Sequence, residues 1–280
     1  MYKLGIITFS KNRPCQLYSQ LCSTRDHIHG DFRQIVLMDN RDIRYYFAYN
    51  EVQSAFPEVI FRTQINNFNL GDGSFHDETI RAIELIDAEY FMMSTDDSIF
   101  IRDFQVEDGC KYTRDYLLSL RLAPHLKIMQ TAGMDHPCKT NMPNPEFTRI
   151  DNKNCWQWGN GICEWYYPLA CDASVFFRYE LLQMLKSYKF LTPNSLESGL
   201  MKNFYPDDFY FRKGLCYDES IYLNIPWNIV SNEAVNKNAN ISTDIFQDQW
   251  KLGNRINHEK YYEMIPESCH MELNLEFIKR

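Results

Sequence analysis

AEYFMMSTDDSIF, residues Ala88 to Phe100, contains an apolar run, Tyr90-Phe91-Met92-Met93, that halts at Ser94-Thr95-Asp96-Asp97 and resumes at Ile99-Phe100. The run reads as a buried strand that ends on two adjacent carboxylates. Two such charges side by side repel each other and resist burial unless something positive neutralises them. A divalent cation is the usual partner, since Mg²⁺ and Mn²⁺ prefer carboxylate oxygen and commonly share their coordination with substrate phosphates. Adjacent side chains on an extended backbone point in opposite directions, so one aspartate can take a metal while the other takes a hydroxyl. A plain turn also accounts for Thr-Asp-Asp-Ser taken alone.

Upstream, KLGIITFSKNRP predicts a buried strand from Leu4 to Phe9 that ends in a polar turn. CQLYSQLCSTRDHI follows at helical spacing, with Leu17, Leu21 and Ile28 on its apolar side. QIVLMDN gives a second strand, Ile35 to Met38, and VIFRTQ a third. NFNLGDGS is a turn, and FHDETIRAIELID is a helix with Ile80, Ile83 and Ile86 on one side. Continuously apolar strands alternating with helices predict an α/β fold with a mostly parallel central sheet flanked by helices. Ligands of such sheets bind beyond the carboxyl ends of the strands. The turns Ser10 to Arg13, Asp39-Asn40 and Thr95 to Ser98 would meet there.

The middle of the chain is less regular. DYLLSLRLAPHLKIMQ reads as a helix followed by a short strand after Pro124, and Gly133 to Asn160 as loop. YYPLACDASVFFRYELLQMLKSY reads as strand, turn, strand and helix. TPNSLESGLMKNF starts a helix, SIYLNIPWNIV is a strand interrupted by proline, Thr243 to Lys251 is a helix, and a last strand lies near Glu272 to Phe277.

The 280 residues are enough for one large domain, and the formal net charge of −8 argues against general affinity for nucleic-acid phosphates. No apolar run is long enough to span a membrane, and the N-terminus lacks a signal-peptide pattern. Nine scattered cysteines without a C-x-x-C pair predict reduced, mostly buried thiols and a cytoplasmic protein. A P-loop is absent. No aspartate ends the first strand as a haloacid-type phosphatase requires, and TFSKNRP lacks the glycines that usually follow strand one in a nucleotidyltransferase. A nucleotidyltransferase or a non-catalytic nucleotide-sugar-binding protein remains the alternative.

With ITFSKNRP, VLMDN and NLGDGSFHDETIRAIELIDAEYFMMSTDD in hand, the first hundred residues resemble GT-A glycosyltransferases, close in pattern to glycosyltransferase family 2. The resemblance implies a single GT-A domain over residues 1–280. Residues 1–100 would form the nucleotide-sugar half, 101–230 the acceptor half, and 231–280 a lid and C-terminal segment. It implies a metal-dependent transferase that moves a sugar from a nucleotide-diphosphate sugar, a UDP-sugar by preference, to a hydroxyl on a glycan, a lipid-linked carrier or another acceptor. Nucleotide-sugar contacts would fall to Thr8, Phe9, Arg13, Asp39, Asp72 and Asp96. Mn²⁺ or Mg²⁺ would sit on Asp97 with a C-terminal histidine, His270 before His258. The family's metal motif is usually D-x-D or D-D. Thr95 in its first position removes one possible ribose contact.

An inverting transferase also needs a base opposite the leaving group. Glu197, in TPNSLESGL, is the first candidate, although a glutamate in the first turn of a helix also serves charge complementarity. Asp172, in YPLACDASVF, is the second, although turn chemistry accounts for it too. Trp156 and Trp158 could line an acceptor cleft or fill the core. Asn232 to Ser242 could close over bound donor.

Overall fold

The computed structural model describes residues 1–64, 74–133, 135–230 and 238–280. Its centre is a nine-stranded sheet. The strands are β1 (Tyr2–Lys11), β2 (Phe32–Asp39), β3 (Ile60–Thr63), β4 (Ala88–Thr95), β5 (Leu117–Ser119), β6 (Thr148–Ile150), β7 (Lys153–Gln157), β8 (Ser174–Phe177) and β9 (Lys213–Cys216). Their spatial order is β3-β2-β1-β4-β8-β5-β9-β7-β6. The pairs β3–β2, β2–β1 and β1–β4 are parallel. Only β7 and β8 run against the common direction, so the sheet is mostly parallel as the apolar runs predict.

The strands are apolar on both sides because both sides are covered. Along β1, Leu4 and Ile6 face one core, while Ile7 and Phe9 face another that holds Phe91, Met93 and Phe176. That second core is closed by α3 (Ser74–Leu85), α4 (Arg178–Lys186) and α5 (Pro193–Phe204). The opposite face carries α1 (Pro14–His27), α2 (Ile43–Ala55) and α6 (Thr243–Lys251). Pro14 opens α1, where its fixed φ suits the first turn and its missing N–H costs nothing. Polar residues of α1 are buried as well. Gln20 is bonded to Thr24 and Ser94, and Gln34 donates to Thr8.

The return of the chain after Asp97 has a local cause. Ser98–Phe100 pairs antiparallel with Tyr222–Asn224 in a small second sheet. The Asp96-Asp97 turn is clamped on both flanks, with Asp96 N–H donating to the Phe9 carbonyl at 3.1 Å and Ile225 N–H to that of Asp97 at 2.7 Å.

Several elements differ from the sequence reading. α2 went unread because its apolar residues are not confined to one stripe. Tyr45, Ala48, Tyr49 and Val52 are buried, while Ile43 and Phe47 are exposed. DYLLSLRLAPHLKIMQ forms strand β5 rather than a helix, and no strand follows Pro124. Leu117, Leu118, Leu120 and Leu122 are all buried there, in an extended segment covered on both sides. The loop region contains the hairpin β6–β7. Tyr166 to Ala170 is not a strand, and the last strand is Phe277–Lys279. Trp156, Trp158 and Trp165 pack edge-to-face in the core, with Trp158 and Trp165 ring centroids 4.6 and 5.0 Å from that of Trp156, so they do not line a cleft.

Cys138 and Cys163 form a disulfide, which corrects the expectation of wholly reduced cysteines, while the others are free and buried. No helix among the described residues is long and apolar enough to cross a membrane. Asp72 and most of Asn232 to Ser242 lie outside the described residues.

Candidate functional site

The C-terminal ends of β1, β2 and β4 open onto a cleft of about 550 Å³. Ser10, Arg13, Asp39, Asp96 and Asp97 line it, together with Asp172, Glu197, Asn224 and His270. The parallel register makes this meeting unavoidable, since Phe9 pairs with Thr95 and Lys11 with Asp39.

Arg13 supplies the positive charge that the paired aspartates require. Its Nη1 donates to Asp96 Oδ1 at 3.0 Å and to Asp97 Oδ2 at 2.9 Å. Its remaining donors are fixed by Asn228, with Nε to Oδ1 at 2.7 Å and Nη2 to the carbonyl at 2.5 Å. Lys11 N–H donates to Asp96 Oδ2 at 3.1 Å, and Asn224 Nδ2 to Asp97 Oδ1 at 2.9 Å. Burial pushes the Asp96 carboxyl up to about 6, and the neighbouring Asp97 charge adds to this against the pull of Arg13.

A stability consequence follows from that shift. Folded Asp96 keeps its proton at pH values where the unfolded chain, near 3.8, has already released it. Stability therefore falls as pH rises from about 4 to about 6 and levels off above, by about 3 kcal/mol for this group. Asp96→Asn is expected to lose this slope. In urea denaturation with chelator present, its stability relative to wild type should improve between about pH 4 and about pH 7, and parallel pH curves would contradict the assignment.

Asp39 does not offer a free carboxylate. Arg41 holds it through Nε at 2.6 Å and Nη2 at 2.5 Å, and these contacts outweigh burial to keep it below the usual carboxylate range. Thr8 is fully buried and bonded by Gln34, so its side chain does not reach the cleft, whereas Phe9 lines it against Phe75. His258 is buried elsewhere, against Tyr262, and is not part of the site.

His270 is at the site. Its Nδ1 lies 3.1 Å from Asn224 Oδ1 and 3.9 Å from Asp172 Oδ2, and its Nε2 is 4.0 Å from Glu164 Oε1. Asp172 accepts from the Thr95 hydroxyl at 3.3 Å. Glu197 lies beyond the first turn of α5, whose capping is done by Thr192 and Ser195, so helix charge complementarity does not explain it. Its Oε2 instead accepts from Cys171 N–H at 2.6 Å, and the Tyr167 hydroxyl also bonds to its carboxylate. Burial raises both Asp172 and Glu197, and each is raised further by a neighbouring carboxylate: Asp97 acts on Asp172, and Asp172 on Glu197.

Asp172, Glu197 and His270 also line a second cavity of about 360 Å³, walled by Arg121, His136, Glu164 and Tyr167. They therefore stand between two spaces. Sequence reasoning missed Asn224, Asn228, Arg121 and Glu164. Only a buried Arg121–Glu164 ion pair reveals the last two, and nothing in their local sequence signals it.

The donor set fits a hard cation. Six carboxylates, those of Asp39, Asp96, Asp97, Glu164, Asp172 and Glu197, line the two cavities with three guanidinium groups, those of Arg13, Arg41 and Arg121, and the Lys11 ammonium. Asp97, Asp172 and His270 do not converge within 4.8 Å as a set among the described residues, so no preformed cage is present.

No family model and no curated protein matches the sequence significantly. Solved structures do match. Residues 1–349 of S. aureus TarS in complex with UDP align over 79% of this chain at 14% identity with a TM-score of 0.50. The present chain spans 59% of that TarS chain. A second S. aureus TarS structure aligns over 79% of this chain and 36% of its own, at 13% identity and TM-score 0.46. A nucleotidyl transferase from Methanothermobacter thermautotroptrophicus aligns over 78% and 88%, at 9% identity and TM-score 0.41. The chain has a GT-A-like, nucleotide-diphospho-sugar transferase-like fold.

Proposed function

We propose that this protein is a glycosyltransferase that takes its sugar from a nucleotide-diphosphate sugar, within a single GT-A domain. The observation that carries the reading is one junction. Asp172, Glu197 and His270 separate a cleft built from the ends of β1, β2 and β4 from a second cavity. A transfer reaction needs such a boundary, with a donor on one side and an acceptor on the other. The UDP in the TarS structure supports a UDP-sugar as donor.

In this reading Arg13, Lys11 and Asp96 frame the diphosphate end of the cleft. Asp97, with His270 nearby, would hold Mn²⁺ or Mg²⁺, which as a Lewis acid would stabilise the departing nucleoside diphosphate. Glu197 is the base. Cys171 N–H and the Tyr167 hydroxyl fix its carboxylate, and its raised proton affinity suits it to take the acceptor hydroxyl's proton near neutral pH. Asp172, fixed by Thr95, orients the reacting hydroxyl or sugar. A base on the acceptor side gives inversion.

The test is a thermal-shift series with UDP-, GDP-, CMP- and dTDP-sugars, with and without Mn²⁺. One nucleotide is expected to raise the midpoint by several degrees in the presence of Mn²⁺. Asp97→Ala should abolish that shift and keep its own unliganded midpoint. Release of nucleoside diphosphate on turnover supports sugar transfer, and release of pyrophosphate from a nucleoside triphosphate and a sugar phosphate would replace it with nucleotidyl transfer. No shift with any donor would overturn the reading.

A further inference from the structure

The wall of the second cavity carries a group that sugar transfer does not use. Cys138 and Cys163, 25 residues apart, are joined by a disulfide with a Cα–Cα distance of 6.5 Å. A ring nitrogen of His136 lies within 4.8 Å of both sulfurs. This pair differs from the other cysteines, which are free thiols, although Cys138 is as buried as they are. Cys163 is only partly buried and lines the cavity with His136, where a small reductant can reach it. Exposed disulfides are the labile ones, and a chain that keeps its remaining thiols free suits a reducing setting in which such a bond exchanges.

The bond also holds a constrained turn. Cys163 has φ of 58°, a left-handed conformation that a non-glycine residue adopts only when its surroundings hold it there. Gly161 precedes it where a Cβ would run into the Trp165 carbonyl. The next residue, Glu164, is the partner of Arg121 and the neighbour of His270. At the other end, Cys138 is tied to its own segment by Met129 N–H, which donates to its carbonyl at 2.8 Å. The sulfur bridge therefore joins the Met129–Cys138 side of the cavity to the turn that presents Glu164.

We propose that Cys138–Cys163 is a reversible thiol–disulfide site whose state sets the position of Glu164 at the second cavity. A dithiol is the reductant. Its thiolate attacks Sγ of Cys163, the S–S bond breaks, and Cys138 leaves as a thiolate that takes up a proton. The second thiol of the reductant then displaces Cys163, also as a thiol, and the reductant closes into its own disulfide. Two electrons and two protons pass to the protein.

Neither the site nor its test depends on sugar transfer. Alkylation in denaturant followed by intact mass should count seven thiols in the air-oxidised protein and nine after mild dithiothreitol. Removal of dithiothreitol and addition of excess oxidised glutathione should return the count to seven. Amide exchange at Gly161–Tyr167 should quicken at least tenfold on reduction, while β1 and β4 stay unchanged. Cys163→Ser should show the fast exchange without reductant and no further response to it. Nine thiols in the oxidised protein, or exchange at Gly161–Tyr167 indifferent to reduction of wild type, would overturn the proposal. The wild-type measurement decides even if the variant fails to fold.

Discussion

Glu197→Gln is expected to leave the fold and donor binding intact and to lower turnover by about 10²–10⁴-fold, the range for loss of a positioned general base. That corresponds to about 3–5 kcal/mol in the barrier. Glutamine keeps a carbonyl oxygen for Cys171 N–H, and its amide NH2 can donate to the Tyr167 hydroxyl oxygen in turn, so the site can stay hydrogen-bonded. What it loses is the capacity to take a proton. The measurement is hydrolysis of the donor, with water in the acceptor's place, followed by release of nucleoside diphosphate. Burial and the Asp172 charge raise the Glu197 carboxyl, so wild-type activity should climb with pH through a limb above the ordinary carboxylate range. The variant's residual activity should lack that limb. If Asp172→Asn abolishes turnover and Glu197→Gln does not, the base has been assigned to the wrong carboxylate.

The legibility of this site in the sequence follows from how its parts are held. Ser10 to Arg13, Asp39 and Asp96-Asp97 each end a strand with a continuous apolar run. The parallel order then brings the three turns together, and periodicity suffices to foresee that. The partners of those residues were not foreseeable. Arg13 could have paired with phosphate or solvent, and only the fold shows Asn228, 215 residues away, aiming it at both carboxylates. Asp39 reads as a free nucleotide contact until Arg41 is seen bound to it. The second half is harder. β5, β7, β8 and β9 are short strands paired across long stretches of chain, and their leucines and tryptophans fit helix, loop or strand alike until the pairing is known. Glu197 was found by its place near a helix start, yet its function rests on the Cys171 turn and Asp172, which α5 does not announce.

Arg13→Met should destabilise the protein by about 3–5 kcal/mol near neutral pH, the cost of removing one partner from a buried ion pair. Methionine keeps most of the volume and removes the charge. Asp96 and Asp97 then face each other with no guanidinium between them, the Asn228 carbonyl loses the Arg13 donor, and Asn228 Oδ1 keeps only Gln16 Nε2 at 3.5 Å. The penalty depends on ionisation. Asp96 is held up to about 6 even with Arg13 present, and without Arg13 its proton affinity rises further. The cost should therefore shrink as pH falls toward about 4, where the carboxyl carries its proton, and grow as pH rises. Urea denaturation in chelator at both ends of that range reads the difference. Asp96→Asn placed on Arg13→Met should recover part of the loss, and the double-mutant cycle isolates the coupling. The same variant tests the cation. In wild type Arg13 occupies Asp97 Oδ2, so an ion at Asp97 must share that carboxylate with a guanidinium. With Arg13 gone, Mn²⁺ can take its place as counter-charge at the pair and should raise the variant's midpoint more than the wild type's. Equal shifts would mean that any ion the protein takes is held away from Asp97, and that the two aspartates are there for Arg13 alone.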